Sequence, residues 1–282
     1  MKILLASVTL FLTSLSVSAQ NFHLDLYAGA SNYNGDLQAK RYTFSQAHLA
    51  GGFGVSYDLT DQFTLRSALM FGKVSANDRY SKNYFRNLNF TSAITEVNLG
   101  LQYYIYPMGT RSLTPYVFAG VAVFHFNPYT YDTAGKKTYL RPLSTEGQGF
   151  IPGRSYYNLT QLSIPYGAGI KLSLSDDIDV GLELGYRKTF TDYLDDVSST
   201  YVDQAALMAN RGSTAVELAY RGNELKNGGP YPAAGAIRGN PKLKDSYYFT
   251  TLTLSFRLFP NSGGGGGNDK SMRQLSCPRP VN

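Results

Sequence analysis

The segment IDVGLELGYRKT, residues 178–189, alternates strictly between apolar side chains and small or polar ones. One parity carries Leu182 and Leu184, while the other carries Glu183 and Arg187. A period of two residues predicts a β-strand with one apolar side. Such a strand belongs either to a soluble sandwich, where the apolar side faces a second sheet, or to a membrane barrel, where it faces lipid.

Six further segments alternate in the same way and a seventh is apolar on both parities, so the chain contains eight predicted strands. The other seven begin near Phe22, Ala47, Phe63, Glu96, Tyr116, Gln161 and Tyr248. The fifth strand in chain order, from Tyr116 to Phe126, is apolar on both parities, which leaves its two faces unassigned. Each strand reaches the roughly 9 to 11 residues that a tilted transmembrane strand needs.

The connections between these strands alternate in length. Long polar loops begin near Ser31, Val74, Asn127 and Thr191, and short turns separate the remaining strands. Short turns at one end and long loops at the other are typical of outer-membrane barrels, whereas a Greek-key sandwich would not sort its loops by length. We therefore predict an all-β fold: a closed eight-stranded antiparallel transmembrane β-barrel of the outer membrane, with four long extracellular loops and short periplasmic turns.

The two ends of the chain differ in composition from its middle. Residues 1–19 combine a basic start, an apolar run and small residues before the expected cleavage site, which predicts a secretory signal peptide. Residues 20–259 are expected to form the barrel and residues 260–282 a flexible periplasmic tail with five consecutive glycines. With an even number of strands, both mature termini lie in the periplasm. The single cysteine, Cys277, is expected to be a free thiol or to form an intermolecular disulfide with a partner.

The inward parity of the predicted strands carries most of the charge. Its charged side chains and histidine are His23, Asp25, Arg66, Glu96, Lys171, Glu183, Arg187 and Arg257. An eight-stranded barrel is just wide enough for its own side chains, and a lone buried charge is costly. We therefore predict acid–base pairing, a filled lumen and no conducting pore; the alternative is a proton or ion path along these charges.

Composition and spacing give little support to catalysis or nucleic-acid binding. The net charge of +6 is spread along the chain and not gathered into a basic cluster. The three histidines, His23, His48 and His125, lie in separate strands without the spacing of a metal or catalytic cluster. We predict no enzymatic activity, no cofactor and no metal ligand. An outer-membrane enzyme of the lipid-modifying or protease kind remains as a minor alternative.

The loop after the opening segment is acidic. Asp192, Asp195 and Asp196 could bind calcium, but their spacing is not that of an EF-hand. We favour a loop cap or a protein-contact surface for these residues. Further along, Thr200 and Asp203 resemble a capping box, which predicts a short helix that Gly212 can stop.

Three segments resemble the PorG-like family of small outer-membrane barrels. The most specific is GYRKTFTDYLDDVS (185–198), which is followed by Tyr201; SNYNGDL (31–37) and TPYVFAG (114–120) support it. The motif residues in the loops are Asn32, Tyr33, Gly35, Asp36, Thr191, Asp192, Tyr193, Asp195 and Asp196.

This resemblance implies a component of the type IX secretion system, which exports proteins with a C-terminal sorting domain across the outer membrane. In that family the barrel is thought to associate with a periplasmic ring made by a lipoprotein and its partner. The expected role is anchoring or assembly, with outer-membrane lipids and secretion-system proteins of the periplasm and outer membrane as partners. The alternative is a structural or adhesive barrel similar to OmpA or OmpX, with no role in secretion.

Overall fold

The computed structural model describes residues 21–38, 43 and 46–259. The expected signal peptide (1–19), the tail (260–282) and Cys277 lie outside the described residues. The strands are β1 (Phe22–Asn34), β2 (His48–Asp58), β3 (Phe63–Asn77), β4 (Asn89–Tyr104), β5 (Leu113–Tyr131), β6 (Lys137–Tyr139), β7 (Thr160–Ser173), β8 (Ile178–Thr189) and β9 (Ser246–Arg257). Two α-helices, α1 (Gln204–Arg211) and α2 (Ser213–Ala219), lie in the connection between β8 and β9.

Eight of these strands form a closed antiparallel ring. Their hydrogen-bonded order is β4-β3-β2-β1-β9-β8-β7-β5, and β4 also pairs with β5, which closes the barrel. The seam between the first and last strands runs from His23 opposite Arg257 to Asn34 opposite Ser246. The short β6 only extends the outer part of β5. The predicted eight-stranded closed barrel is therefore confirmed.

The connections divide the barrel into two different ends. Residues 59–62, 105–112 and 174–177 form short turns at one end, here called the turn end. The long connections leave from the opposite end, here called the outer end. This is the alternation of loop length that the sequence predicts.

The apolar side of the strands faces outward. On β8, Leu182 and Leu184 are 47% and 42% exposed, whereas Glu183 and Arg187 are 4% and 2% exposed. Exposed apolar side chains lie on every barrel strand, for example Leu26, Phe53, Leu65, Leu99, Val121, Leu162, Leu184 and Leu252. A soluble sandwich would bury this side, so the exterior is the lipid-facing surface of an outer-membrane barrel.

Aromatic pairs border this apolar belt. Near the turn end, the rings of Phe63 and Tyr103 lie 5.0 Å apart. Toward the outer end, the rings of Tyr166 and Tyr186 lie 5.4 Å apart. Aromatic girdles at both interfaces are typical of transmembrane β-barrels, because these rings are amphipathic.

The structure assigns the faces of β5, which the sequence left open. Tyr116, Phe118 and Phe124 are buried inside the barrel, while Val117 and Val121 are exposed. The ring of Phe118 lies 4.5 Å from the guanidinium carbon of Arg66. Aromatic rings therefore fill the lumen between charged side chains, so both faces of this strand are apolar.

At least two predicted loops begin later than expected. The sequence places a loop from Ser31, but β1 continues to Asn34 and stays paired with β9. Similarly, β3 continues to Asn77 instead of ending near Val74. The strands extend beyond the lipid-facing belt, where polar side chains are compatible with a hydrogen-bonded ladder and no longer mark a loop.

The predicted short helix is present as α1. The carboxylate of Asp203 caps it by accepting a hydrogen bond from the Ala206 backbone N–H at 2.8 Å, and Gly212 follows its last turn. Thr200 is not part of the cap, because its hydroxyl accepts a hydrogen bond from Arg154 at 2.7 Å. Helix α2 was not predicted. Within the described part of the chain, neither helix is long and apolar enough to cross a bilayer.

Candidate functional site

Near the middle of the barrel, a bidentate ion pair joins two opposite walls. Arg66 on β3 donates from Nη1 and Nη2 to the two carboxylate oxygens of Glu183 on β8, at 2.5 and 3.2 Å. Tyr116 donates to the same carboxylate at 3.0 Å, and Gln102 accepts from Arg66 at 3.2 Å. All of these side chains are buried, so the pair is desolvated and also hydrogen-bonded, as a buried charge requires.

A second ion pair lies closer to the outer end. Arg187 on β8 donates from Nε and Nη2 to the Glu96 carboxylate on β4, with both distances 3.1 Å. The same carboxylate accepts from the Tyr247 hydroxyl at 2.7 Å and from the Asn98 amide at 2.9 Å. Arg187 also donates to the backbone carbonyl of Gly185 at 2.7 Å. Two arginine–carboxylate pairs thus fill the lumen at two heights.

The remaining lumenal residues have partners that the sequence analysis did not name. His23 lies 2.8 Å from Asp58, and Lys171 lies 3.4 Å from Asp179. Asp25 accepts a hydrogen bond from Ser255 at 2.5 Å. Asp179 shares the inward parity of Glu183, so alternation could have found it, whereas Asp58 was assigned to a turn.

Arg257 is the exception among the eight lumenal residues. Its side chain makes no ion pair with the residues that the structure describes. Four of the eight residues therefore form the two arginine–carboxylate pairs, and the other four do not join them in a single network. Two cavities of about 10 Å³ each lie beside the two arginine pairs, enough for about one water molecule.

A larger cavity opens at the turn end. Its volume is about 700 Å³, and the three short turns form its rim. Its charged lining residues and histidine are His23, Asp58, Asp61, Lys171, Asp176, Asp177, Asp179 and Arg257. This end of the barrel is therefore a funnel, while the middle is closed by side chains.

The long connections fold together over the outer end into a compact cap, here called the dome (residues 35–38, 78–88, 132–159 and 190–245 among those described). Its centre is Arg238, which is 2% exposed and donates to the Glu146 carboxylate at 3.0 Å and to the Asp196 carbonyl at 2.5 Å. Glu146 also accepts from the backbone N–H groups of Ser198 and Ser199, at 2.9 and 3.0 Å. One buried ion pair thus ties several loops to each other.

A second buried arginine, Arg86, also connects several loops of the dome. Arg86 donates to the Asp78 carboxylate at 2.6 and 2.9 Å and also to the backbone carbonyls of Arg238 and Asp36. The sequence analysis missed Arg86, Asp78, Glu146 and Arg238, because each stands alone in a polar loop. No spacing or periodicity marks them.

The acidic motif lies inside the dome and not on its surface. Asp192, Asp195 and Asp196 are each at most 3% exposed. Of the two roles favoured for these three carboxylates, the protein-contact surface is therefore wrong, and the loop cap is the one that agrees with their burial. Two of the three carboxylates accept hydrogen bonds inside the dome: Asp195 accepts from Tyr33 at 2.6 Å, and Asp196 accepts from Thr145 at 2.5 Å and from Tyr157 at 2.8 Å.

The two loop motifs meet at one hydroxyl group. The Tyr33 hydroxyl lies 2.6 Å from Asp195 and 2.8 Å from Asp245. A phenol has one proton to donate, so a protonated carboxyl on one side would let that group donate back to the phenol oxygen and satisfy both contacts. Burial raises the pKa of both Asp195 and Asp245, and neighbouring carboxylates add to this effect.

The other motif residues lie close to the Tyr33, Asp195 and Asp245 contact. A Cβ on Gly35 would lie 1.9 Å from the Asp245 carboxylate and 2.0 Å from the Tyr33 hydroxyl, so a larger residue would have to displace these two side chains. Asp36 accepts from the Asn240 N–H at 2.6 Å, and Thr191 accepts from the Asp245 N–H at 3.0 Å. Two further contacts complete the set: Asn32 donates to the carbonyl of Thr43, and the Tyr193 ring stacks on Tyr157 at 4.8 Å. The motifs join the outer ends of β1, β8 and β9.

Burial also changes the acidity of two other carboxyls in the dome. It raises the pKa of Asp192 to about 7, with a further contribution from Asp36. It raises the pKa of Asp196 to about 6, although Arg238 acts in the opposite direction. Among the described residues, no group of three His, Cys, Asp or Glu side chains is placed to hold a metal ion.

Comparison with solved structures finds several small outer-membrane proteins of low sequence identity. Neisserial surface protein A is 8% identical, with a TM-score of 0.41, over 84% of this chain and 96% of that one. Ail of Yersinia pestis, in complex with the heparin analogue sucrose octasulfate, is 8% identical, with a TM-score of 0.39, over 84% and 97%. The N-terminal β-barrel domain of Pseudomonas aeruginosa OprF is 14% identical, with a TM-score of 0.36, over 84% and 97%. Because these scores are low, the fold assignment rests on the closed ring and its apolar exterior.

The comparison with curated proteins found no match. A family model, described as a domain of unknown function (DUF6089), matches residues 2–209. That range includes the barrel strands β1 to β8 and both loop motifs. Since the match covers well over half of the sequence, the chain belongs to the DUF6089 family.

Proposed function

We propose that this small outer-membrane β-barrel is a non-enzymatic anchoring and assembly component of the type IX protein secretion machinery, contacting periplasmic ring subunits. The observation that carries the anchoring role is the filled lumen. The pairs Arg66–Glu183 and Glu96–Arg187 connect β8 to the opposite strands β3 and β4. The resemblance of the loop motifs to the PorG-like family supports the link to secretion.

A filled barrel suits an anchor better than a channel. Ion passage would require both arginine pairs to separate, and each separation would leave a charge buried without its partner, at about 3–5 kcal/mol. The dome, held by Arg238, covers the other end of the same lumen. The barrel is therefore a rigid membrane element on which other proteins can assemble.

Contact surfaces are available at both ends. On the dome, Tyr84 and Phe85 are 64% and 53% exposed, and such exposed aromatic side chains are enriched at protein interfaces. At the turn end, the funnel and the tail with Cys277 would contact periplasmic ring subunits. Cys277 would form an intermolecular disulfide with one of these subunits. Outer-membrane lipids surround the apolar belt.

The secretion role is tested by deleting the gene and measuring export of proteins that carry the C-terminal sorting domain. We expect export to fall, and to return with the wild-type gene. Unchanged export would contradict the secretion role and leave the alternative of a structural or adhesive barrel similar to OmpA or OmpX. The exposed aromatic side chains of the dome favour this alternative. Pull-down under non-reducing conditions, with Cys277→Ser as the control, tests the covalent tether.

The closed lumen is tested separately, in planar lipid bilayers containing the purified protein. We expect no steady conductance comparable to that of a porin. A stable ohmic conductance of that size would contradict the anchor model, whatever the outcome of the export assay.

A further inference from the structure

The funnel at the turn end carries an excess of negative charge. Among its lining residues, five aspartates stand against one lysine and one arginine, which leaves three uncompensated negative charges when His23 is neutral. His23 and Lys171 are already engaged by Asp58 and Asp179. The lining is thus suited to a cationic ligand.

The surplus charge is located at the rim. Asp61, Asp176 and Asp177 line the opening, on the turns that follow β2 and β7. None of the three makes an ion pair within the part of the chain that the structure describes. Three carboxylates around one concave opening attract positive charge more strongly than the same groups on a flat surface, because low-dielectric walls focus their field.

The chain itself leaves the barrel at this rim. The Arg257 backbone N–H, at the end of β9, donates to the Asp177 carbonyl at 2.9 Å, and the Leu258 N–H donates to the Phe22 carbonyl at 2.9 Å. The described chain thus ends at Phe259, two residues beyond a backbone contact with the turn that carries Asp176 and Asp177, and residues 260–282 follow in the sequence. They contain Lys270, Arg273 and Arg279 against a single acid, Asp269.

We propose that the funnel is a binding site for a cationic peptide segment, and that its occupant is the chain's own basic segment, residues 268–282. The charge and the position of the two parts are complementary, and neither depends on a role in secretion. A volume of about 700 Å³ lies within the roughly 300–1,000 Å³ of typical ligand pockets. The funnel therefore has room for cationic side chains of the segment.

The intervening sequence is long enough for this contact. Ten residues separate Phe259 from Lys270, including the five glycines at 263–267, and a glycine-rich linker of that length spans about 17 Å on average. A tethered segment at this distance has an effective concentration of about 1 mM. Even a weak site would thus be occupied intramolecularly, and a periplasmic partner would have to displace the segment.

The test is a titration of a fluorescent peptide of residues 268–282, with Cys277→Ser, onto the folded full-length protein at low salt. The first variant carries Lys270→Gln, Arg273→Gln and Arg279→Gln, which neutralises its own tail. We expect the peptide to bind this variant about tenfold more tightly than it binds the wild type, since the tethered segment no longer competes. Binding should weaken as salt is added.

A second variant adds Asp61→Asn, Asp176→Asn and Asp177→Asn to the neutral tail. We expect its affinity for the peptide to fall at least tenfold. The matched control adds Asp203→Asn, Glu217→Gln and Glu224→Gln, which remove the same charge from the dome and should leave the affinity unchanged. Retention of the folded, heat-modifiable gel mobility shows that each variant forms the barrel.

Three results would overturn the proposal. One is equal affinity of the peptide for the wild type and the neutral-tail variant, which places the tail elsewhere. Another is equal loss of affinity in the rim and dome triples, which shows only general charge attraction. The third is no measurable binding to the neutral-tail variant at low salt.

Discussion

The buried pair between Glu96 and Arg187 gives the most direct test of how the barrel is held together. Replacing Glu96 by alanine removes a carboxylate that accepts hydrogen bonds from Arg187, Tyr247 and Asn98. The Arg187 guanidinium remains inside the lumen, where, among the described residues, only the Gly185 carbonyl still accepts from it. We expect Glu96→Ala to destabilise the folded barrel strongly.

The magnitude follows from the burial of the pair. The side chains of Glu96 and Arg187 are 0% and 3% exposed, so water cannot compensate the charge that is left behind. Removing one partner of such a pair costs about 3–5 kcal/mol. The i,i+3 pair between Arg221 and Glu224 on the dome is more exposed, and Glu224→Ala should cost no more than about 1 kcal/mol.

The measurement is equilibrium unfolding in urea of protein refolded into lipid vesicles. Because the chain contains no tryptophan, far-UV circular dichroism and gel mobility follow the transition. Combining Glu96→Leu with Arg187→Met removes both charges, and we expect this double variant to recover to within about 2 kcal/mol of the wild type.

Two outcomes would refute this reasoning. If Glu96→Ala costs no more than Glu224→Ala, the lumenal pair does not hold the barrel walls together. If the double variant is as unstable as Glu96→Ala, the loss comes from packing or from the orphaned Tyr247 hydroxyl and not from an uncompensated charge.

Three further predictions concern the lipid-facing exterior, the close contact between strands β4 and β5, and the dome. Leu184→Arg should lower the free energy of unfolding in lipid vesicles by about 2–4 kcal/mol, whereas Leu59→Arg on a turn should lower it by about 0–1 kcal/mol. An unchanged stability of Leu184→Arg would contradict the lipid-facing belt. Gly120→Ala should lower the free energy of unfolding by about 1–3 kcal/mol, since its Cβ would lie 2.2 Å from the Leu99 carbonyl oxygen. Gly51→Ala, whose Cβ would have its nearest contact at 3.2 Å, should lower it less in the same assay. The pKa of Asp192 is about 7 in the folded protein against 3.8 for an exposed aspartate; its protonated form therefore stabilises the dome fully below about pH 4, and this contribution is lost as pH rises through about 7. Hydrogen exchange of residues 190–199, corrected for intrinsic rates, should show this loss at up to about 1.4 kcal/mol per pH unit, and Asp192→Asn should reduce the slope.

The sequence predicted the barrel well because its evidence is local. The alternation around Leu182, Glu183 and Leu184 predicts both the strand and its two faces. The same rule failed for β5, where Phe118 and Phe124 fill the lumen. It also ended β1 too early at Ser31, since polar residues look the same in a loop and in a strand that rises above the membrane.

The candidate site was predicted only in part. Alternation placed Arg66, Glu96, Glu183 and Arg187 on the inward parity, but it could not say which acid meets which base. The pairing depends on strand order and stagger, which bring β3 and β4 opposite β8 across the lumen. These contacts join residues such as Arg66 and Glu183 that lie far apart in sequence.

The sequence by itself determined the class of the fold and the two unequal ends of the barrel, because side-chain parity and loop length are properties of neighbouring residues. Only the tertiary structure decided that Asp192, Asp195 and Asp196 are buried in a dome, that Arg238 ties its loops together, and that the turn end opens as an acidic funnel. The physical reason is closure. When the ring closes, distant loops share one small volume, and burial then sets which charges must pair, which must hold a proton and which remain available at the rim.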